Sequence, residues 1–159
     1  MADNAQAPGG VEGGGLATGR DDPLRAFHFV VEVQGVAQGR FIECSSLGVR
    51  VNVIRQREGG NKAITHLIPG SVDYAPVTLR YGLTRSRELW DWMQKIVQGT
   101  VERRNVSIVM LQPDGSTEAM RWNLFDCWPS EWVSAALDAS GNTLAIESMT
   151  LVFESLERA

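Results

Sequence analysis

Apolar and polar residues alternate along most of this chain, and one segment alone breaks that period. In AFHFVVEVQ, residues 26–34, Phe27, Phe29, Val31 and Val33 fall on one side, and His28, Glu32 and Gln34 on the other. A period of two marks a strand with one buried face. GVAQGRFIECSSLG follows, with Gly35, Gly39 and Gly48 punctuating a second strand. In VRVNVIRQREGG, residues 49–60, Val49, Val51 and Val53 oppose Arg50, Asn52 and Ile54. Further strands are expected at 63–68, 77–83, 105–111, 117–127 and 143–154, with a Pro113-Asp114-Gly115 turn between the third and fourth of these. The exception is Arg85–Gln98. There Leu89, Trp92, Met93, Ile96 and Val97 line one helical stripe, and Asp91, Gln94, Lys95 and Gln98 line the opposite side. Thr84 or Ser86 is positioned to cap the start, and Gly99 to end the helix in a left-handed conformation. Many strands and one helix constrain the chain to a mainly β fold. Trp92, Met93, Ile96 and Val97 are expected to pack the helix onto the sheet.

The stretch REGGNKAITHLIPG, residues 57–70, is the least ordinary. The strands 49–58 and 63–68 read as a long hairpin whose tip is Gly59-Gly60-Asn61, residue types that tolerate positive φ. The return strand is expected to end at Pro69-Gly70. The last strand raises a second question. Leu144, Ile146 and Val152 lie on one face, and Met149, Leu151 and Phe153 on the other. A strand half exposed to water needs no such double face. The helix or a neighbouring subunit would cover the second one.

With 159 residues the chain is sized for one domain. Residues 1–22 hold six glycines and few large apolar side chains. They are expected to form a flexible Gly/Ala-rich tail, leaving 23–159 as the folded domain. The net charge of −4 implies no strong attraction to nucleic acid or an anionic membrane. Thirteen arginines against two lysines favour interface contacts, although a GC-rich genome gives the same bias. Cys44 and Cys127 form no CxxC pair and read as reduced thiols. No apolar run reaches the ~18–20 residues of a membrane span, so no insertion as a monomer is expected. The N-terminus carries no charged-then-apolar signal pattern, which predicts synthesis in the cytoplasm.

Catalytic, cofactor and metal motifs are absent from the sequence. GGNK lacks the Gly-x4-Gly-Lys-Ser/Thr spacing of a phosphate loop and leads into a strand, not a helix. The two histidines, His28 and His66, are not spaced for metal ligation and leave few general bases for a serine or cysteine nucleophile. No GxSxG elbow occurs. Trp122, Trp128 and Trp132 crowd into RWNLFDCWPSEW without a basic cluster, which favours core and interface over a stacking platform. No enzyme and no cofactor are expected.

Taken in order, FHFVVEVQGVAQGRFIECSSLG (27–48), EGGNKAITHLIPG (58–70), VTLRYGLTRSRELWDWMQKIVQG (77–99), RRNVSIVMLQPDG (103–115), RWNLFDCWPSEW (121–132) and NTLAIESMTLVFESLE (142–157) carry a family resemblance. The chain resembles the tube proteins of contractile-tail phages and phage-tail-like contractile injection systems. That resemblance covers nearly everything from Pro23 onward. It implies a small β-sandwich or barrel with one flanking helix, six copies in a ring, and rings stacked into a hollow tube. It further implies a contractile sheath and baseplate tube-initiating proteins as partners, and DNA or protein cargo in the lumen. The particle would be a phage virion tail or an injection device. On this view 57–70 is an arm reaching a neighbouring subunit or ring. Gly59, Gly60 and Asn61 make the reversal, and Arg57, Glu58 and Lys62 are candidates for charge contacts. The alternatives are a baseplate tube initiator or secreted ring-forming cargo carrier, and a small β-barrel enzyme or ligand-binding protein.

Overall fold

One strand belongs to both layers of the molecule. The computed structural model describes residues 28–37, 41–57, 59–60, 65–83, 85–141 and 144–159. The expected tail 1–22, the cap Thr84, and Glu58, Asn61 and Lys62 at the hairpin tip lie outside these residues. The elements in chain order are β1 (Phe29–Val33), β2 (Val36–Ala37), β3 (Phe41–Cys44), β4 (Gly48–Arg57), β5 (Thr65–Ala75), β6 (Val77–Gly82), α1 (Glu88–Val97), β7 (Arg104–Leu111), β8 (Glu118–Val133), β9 (Ile146–Val152) and β10 (Ser155–Arg158).

Among the described residues seven strands form one hydrogen-bonded path, β2-β1-β7-β8-β9-β6-β3, and β10 pairs with β8 beside it. All of its pairs are antiparallel. The first half of β8 pairs with β7 and β10, and the second half with β9. The partners change between Cys127, opposite Arg104 of β7, and Trp128, opposite Val152 of β9, just after Asp126, whose φ is +54°. There the inward parity changes, so that Leu124 and then Cys127 and Pro129 are buried. A non-glycine residue in this region bends the strand and re-aims its side chains. The two halves therefore face each other across one core, with Val31, Val106, Ile108 and Leu124 from one and Val77, Leu79, Met149 and Leu151 from the other. This is the expected mainly β sandwich with one helix.

Local sequence explains the corners. Gln34 and Gly35 both adopt positive φ between Val33 and Val36, the conformation of a two-residue hairpin turn. At Asp114 the carboxylate accepts from the Ser116 and Thr117 amides at 2.9 Å and from the Thr117 hydroxyl. Thr117 and then the two amides hold that carboxyl down at about 2.

The helix starts later than its stripe suggests. Its N-cap is Arg87 and not Ser86, with no side-chain capping bond, and acidic Glu88 and Asp91 complement the first turn. Gly99 ends it at φ +88°. The Gly99 amide donates to the Ile96 carbonyl at 3.0 Å and the Thr100 amide to Lys95 at 2.8 Å, the paired closure of a left-handed cap. Trp92 is fully buried, and Met93 packs against the core. Ile96 is half-buried. Val97, expected to pack as well, is 65% exposed because the last turn points it away from the sheet. Trp90, outside the expected stripe, meets Trp132 edge-on at 4.5 Å. The Trp92 indole N–H donates to the Glu102 carbonyl at 2.7 Å, and Arg104 lies over its ring at 5.0 Å.

Two further expectations change. The segment expected as a strand over 143–154 is β9 followed by β10, which turns to pair with β8 instead of continuing along β6. Leu144 precedes β9 and is 84% exposed, so Ile146 and Val152 form the second face without it. The strand expected over 117–127 runs on to Val133, since the bend at Asp126 redirects it without ending it.

Candidate assembly interface

The long hairpin is present, and it leaves the body of the protein. β4 and β5 form a separate two-stranded sheet that continues the β3–β6 pair. The junction is fixed on both sides. The Ser45 amide donates to the Thr78 carbonyl at 2.9 Å, and the Thr78 amide donates to Ser45 Oγ at 2.8 Å. Tyr74 anchors the base against Phe153, ring centroids 5.4 Å apart. Gly48 sits opposite Ala75, where a Cβ would lie 3.2 Å from the alanine methyl.

The return strand does not end at Pro69-Gly70. It runs to Ala75, and a register shift between Val51 and Val53 absorbs the pair. Gly70 and Ser71 together oppose Asn52 at this bulge, a position that tolerates proline in a strand. A side chain at Gly70 would place its Cβ 2.9 Å from the Asn52 carbonyl oxygen. Asn52 Nδ2 closes the bulge by donating to Ser71 Oγ at 2.8 Å and Asp73 Oδ2 at 2.7 Å.

The register sorts the arm into two faces. Val49↔Tyr74, Val51↔Val72, Val53↔Pro69 and Arg55↔Leu67 share one of them. Arg50↔Asp73, Ile54↔Ile68 and Gln56↔His66 share the other, with Asn52. The first face is an apolar stripe in water: Val49 is 58%, Val53 59% and Leu67 64% exposed. A two-stranded ribbon is marginal by itself, and no described element packs on this apolar face. A stripe of this kind marks an interaction surface.

Of the sequence-predicted residues, Arg57, Gly59 and Gly60 are described, and they fall at the far end. Arg57 closes β4 opposite Thr65, and Gly59 and Gly60 form a turn, Gly60 at φ +112°. The apolar stripe below the tip was not among the candidates. Its signal was present in the alternation of Val49, Val51 and Val53, resumed by Val72 and Tyr74 beyond the proline. Elsewhere, Cys44 and Cys127 are free thiols, and burial pushes them up to about 11 and about 12. Among the described residues no three His, Cys, Asp or Glu side chains converge on a metal-sized site, and no helix is long and apolar enough to cross a membrane.

Comparison with known proteins gives a consistent result. A chain of the sheath–tube complex of PVC, an extracellular contractile injection system, in its extended state, superposes with a TM-score of 0.79 at 26% identity, covering 88% of this chain and 93% of that one. A chain of the anti-feeding prophage cap, the AFP tube terminating cap, shares the fold at TM-score 0.77 and 22% identity, covering 91% and 99%. Hcp1 from Flavobacterium johnsoniae shares it more distantly, at TM-score 0.54 and 12% identity, covering 83% and 94%. No curated protein gives a significant match. Residues 25–157 match the T4-like virus tail tube protein gp19 family, and the chain belongs to that family.

Proposed function

We propose that the protein is a structural subunit of the inner tube of a contractile tail or injection device, assembling into stacked hexameric rings, without enzymatic activity. Sheath and baseplate proteins are its partners, and cargo passes through the lumen. The observation that carries this reading is the β4–β5 arm, whose apolar stripe is exposed, with no described element of the same chain packed over it. A head-to-tail contact between unlike surfaces closes into a ring when the rotation allows it. Strand pairing or packing between copies then removes the exposed edge of the ribbon. The 26% identity with a chain of a sheath–tube complex supports the same assignment.

The arm tip, Arg57–Lys62, is proposed to contact the neighbouring subunit or ring. Negative-stain electron microscopy of the purified protein over a range of concentrations tests the reading. Hollow rings and stacked cylinders are expected, alone or on a baseplate template. Deletion of 58–62 is expected to preserve the fold by circular dichroism and shorten or abolish the cylinders. Compact monomers under all these conditions, template included, would overturn the assignment.

A further inference from the structure

A groove of about 390 Å³ opens between β3 with the segment after it and the sheet of β1, β7 and β8. Phe29, Ile42, Leu47, Ile108, Met110 and Trp122 line it, together with Cys44. Its one charged lining residue is Glu43, whose side chain is largely exposed and pairs with Arg80 at 2.9 Å. The groove is apolar and has the size of a few side chains. The arm presents exposed apolar side chains, Val49, Val51, Val53 and Leu67, on one face.

We propose that the groove of one copy receives the apolar face of the β4–β5 arm of a second copy, with Val53 and Leu67 as the inserted side chains. This rests on the tube reading and names the receiving surface for its arm. Two observations select the occupant. The first is reach. β4 begins at Gly48, directly after the groove residue Leu47, and runs ten residues. At ~3.3 Å per residue its far end stands ~30 Å from the groove. The same arm cannot fold back into its own groove without breaking its ladder, so another copy must supply it. The second is charge. The arm carries Arg50, Arg55, Arg57 and Lys62 against Glu58 and Asp73, a basic segment in a chain of net charge −4. Arg55 shares the apolar face with Leu67, so insertion brings a guanidinium towards Glu43. Complementary charge at the rim of an apolar contact fixes its orientation. Knob and hole are different surfaces of one molecule, so the contact is head-to-tail and not self-complementary.

Cys44 supplies the test. Val53→Cys and Leu67→Cys are introduced separately into the full chain, the assemblies are formed, and a short bismaleimide is added at a pH and for a time at which a monofunctional maleimide is first shown to label Cys44 of the parent assemblies to completion. Covalent ladders of dimers and higher oligomers are expected, and they are expected to disappear when Cys44→Ser is combined with either change. Rings or tubes that form normally but give no Cys44-dependent ladder would overturn the groove assignment and leave the tube reading standing. Cross-linking confined to single chains would overturn it as well. So would a Cys44-dependent link from Leu24→Cys in place of the arm positions, because residues 1–27 would then fill the groove. Failure to form rings under any condition would overturn both readings together. A second readout is assembly itself. Leu67→Asp and Met110→Asp, on opposite sides of the contact, are each expected to raise the concentration needed for assembly at least tenfold. Neither change reaching twofold in folded variants would also overturn the groove assignment.

Discussion

Ser45 and Thr78 are joined by two hydrogen bonds, amide to carbonyl at 2.9 Å and amide to hydroxyl at 2.8 Å, at the point where the arm leaves the sheet. The second bond gives the junction a stiffness that a backbone ladder alone would lack. Ser45→Ala removes the hydroxyl acceptor and leaves the Thr78 amide without it. A loss of about 0.5–1.5 kcal/mol in urea unfolding is expected. Assembly is expected to weaken more than this loss explains, because the arm direction becomes less defined. Equal losses in unfolding and in ring formation would show that the junction stabilises without aiming.

Asp126 holds φ +54° where β8 changes layer. A non-glycine residue there carries a cost of about 1–2 kcal/mol. Asp126→Gly keeps the bend, because the bond it makes is from its backbone amide to Asn105 Oδ1 at 3.2 Å. Its thermal midpoint is expected to match or exceed that of the parent. Asp126→Val, β-branched in the same conformation, is expected to lower stability by about 1–3 kcal/mol. A neutral valine variant would show that the strand bends by some other means.

Trp92 and Val97 lie on the same helix with opposite consequences. Trp92 is fully buried and bonded to the Glu102 carbonyl, so Trp92→Ala is expected to cost about 3–5 kcal/mol. Val97 is exposed, and Val97→Ala is expected to stay within about 0.5 kcal/mol of the parent. Chemical denaturation of the two variants side by side decides this.

The buried Cys127 thiol and the half-buried Cys44 thiol make stability fall on the alkaline side. Burial raises Cys44 to about 11 and Cys127 to about 12, against an ordinary value of 9.0. The folded state therefore binds these protons more tightly than the unfolded state. Their contribution is complete below about pH 9 and is lost as pH rises through 11 and 12. At neutral pH both thiols are expected to alkylate slowly, and Cys127 to become reactive only on unfolding. Rapid labelling of Cys127 in the native protein would contradict its burial.

Asp114 acts in the opposite direction. Its carboxyl is held at about 2 by the Thr117 hydroxyl and then by the Thr117 and Ser116 amides. This contribution is complete above the ordinary value of 3.8 and is lost as pH falls through about 2. Carboxyl-detected NMR titration is expected to find Asp114 ionised well below the other aspartates. Thr117→Val is expected to bring it back towards the ordinary range.

Period-two alternation made β1, β4 and β6 legible, and the single helical stripe gave α1, because both signals are local. Parity gave the apolar stripe of the arm as far as Val53. Pro69-Gly70 hid the rest, since a proline–glycine pair ordinarily ends a strand, and here Asn52 and a bulge carry the ladder through it. The bend at Asp126 was equally hidden. Aspartate visits the left-handed region more than most residues but rarely inside a strand, so nothing local placed a bend at Asp126 and the strand was expected to finish at 127. The groove could not be read at all. Phe29, Ile42, Met110 and Trp122 come from four strands, and their meeting depends on how the two layers close.

The passage of β8 through both layers has a mechanical meaning. A pull on the arm enters through β3 and β6, crosses hydrogen bonds to β9, and then reaches β8. From there it continues along covalent backbone into the other layer, towards β7 and β1. The layers cannot slide past each other without stretching that backbone, so a subunit built this way carries axial load as a single piece.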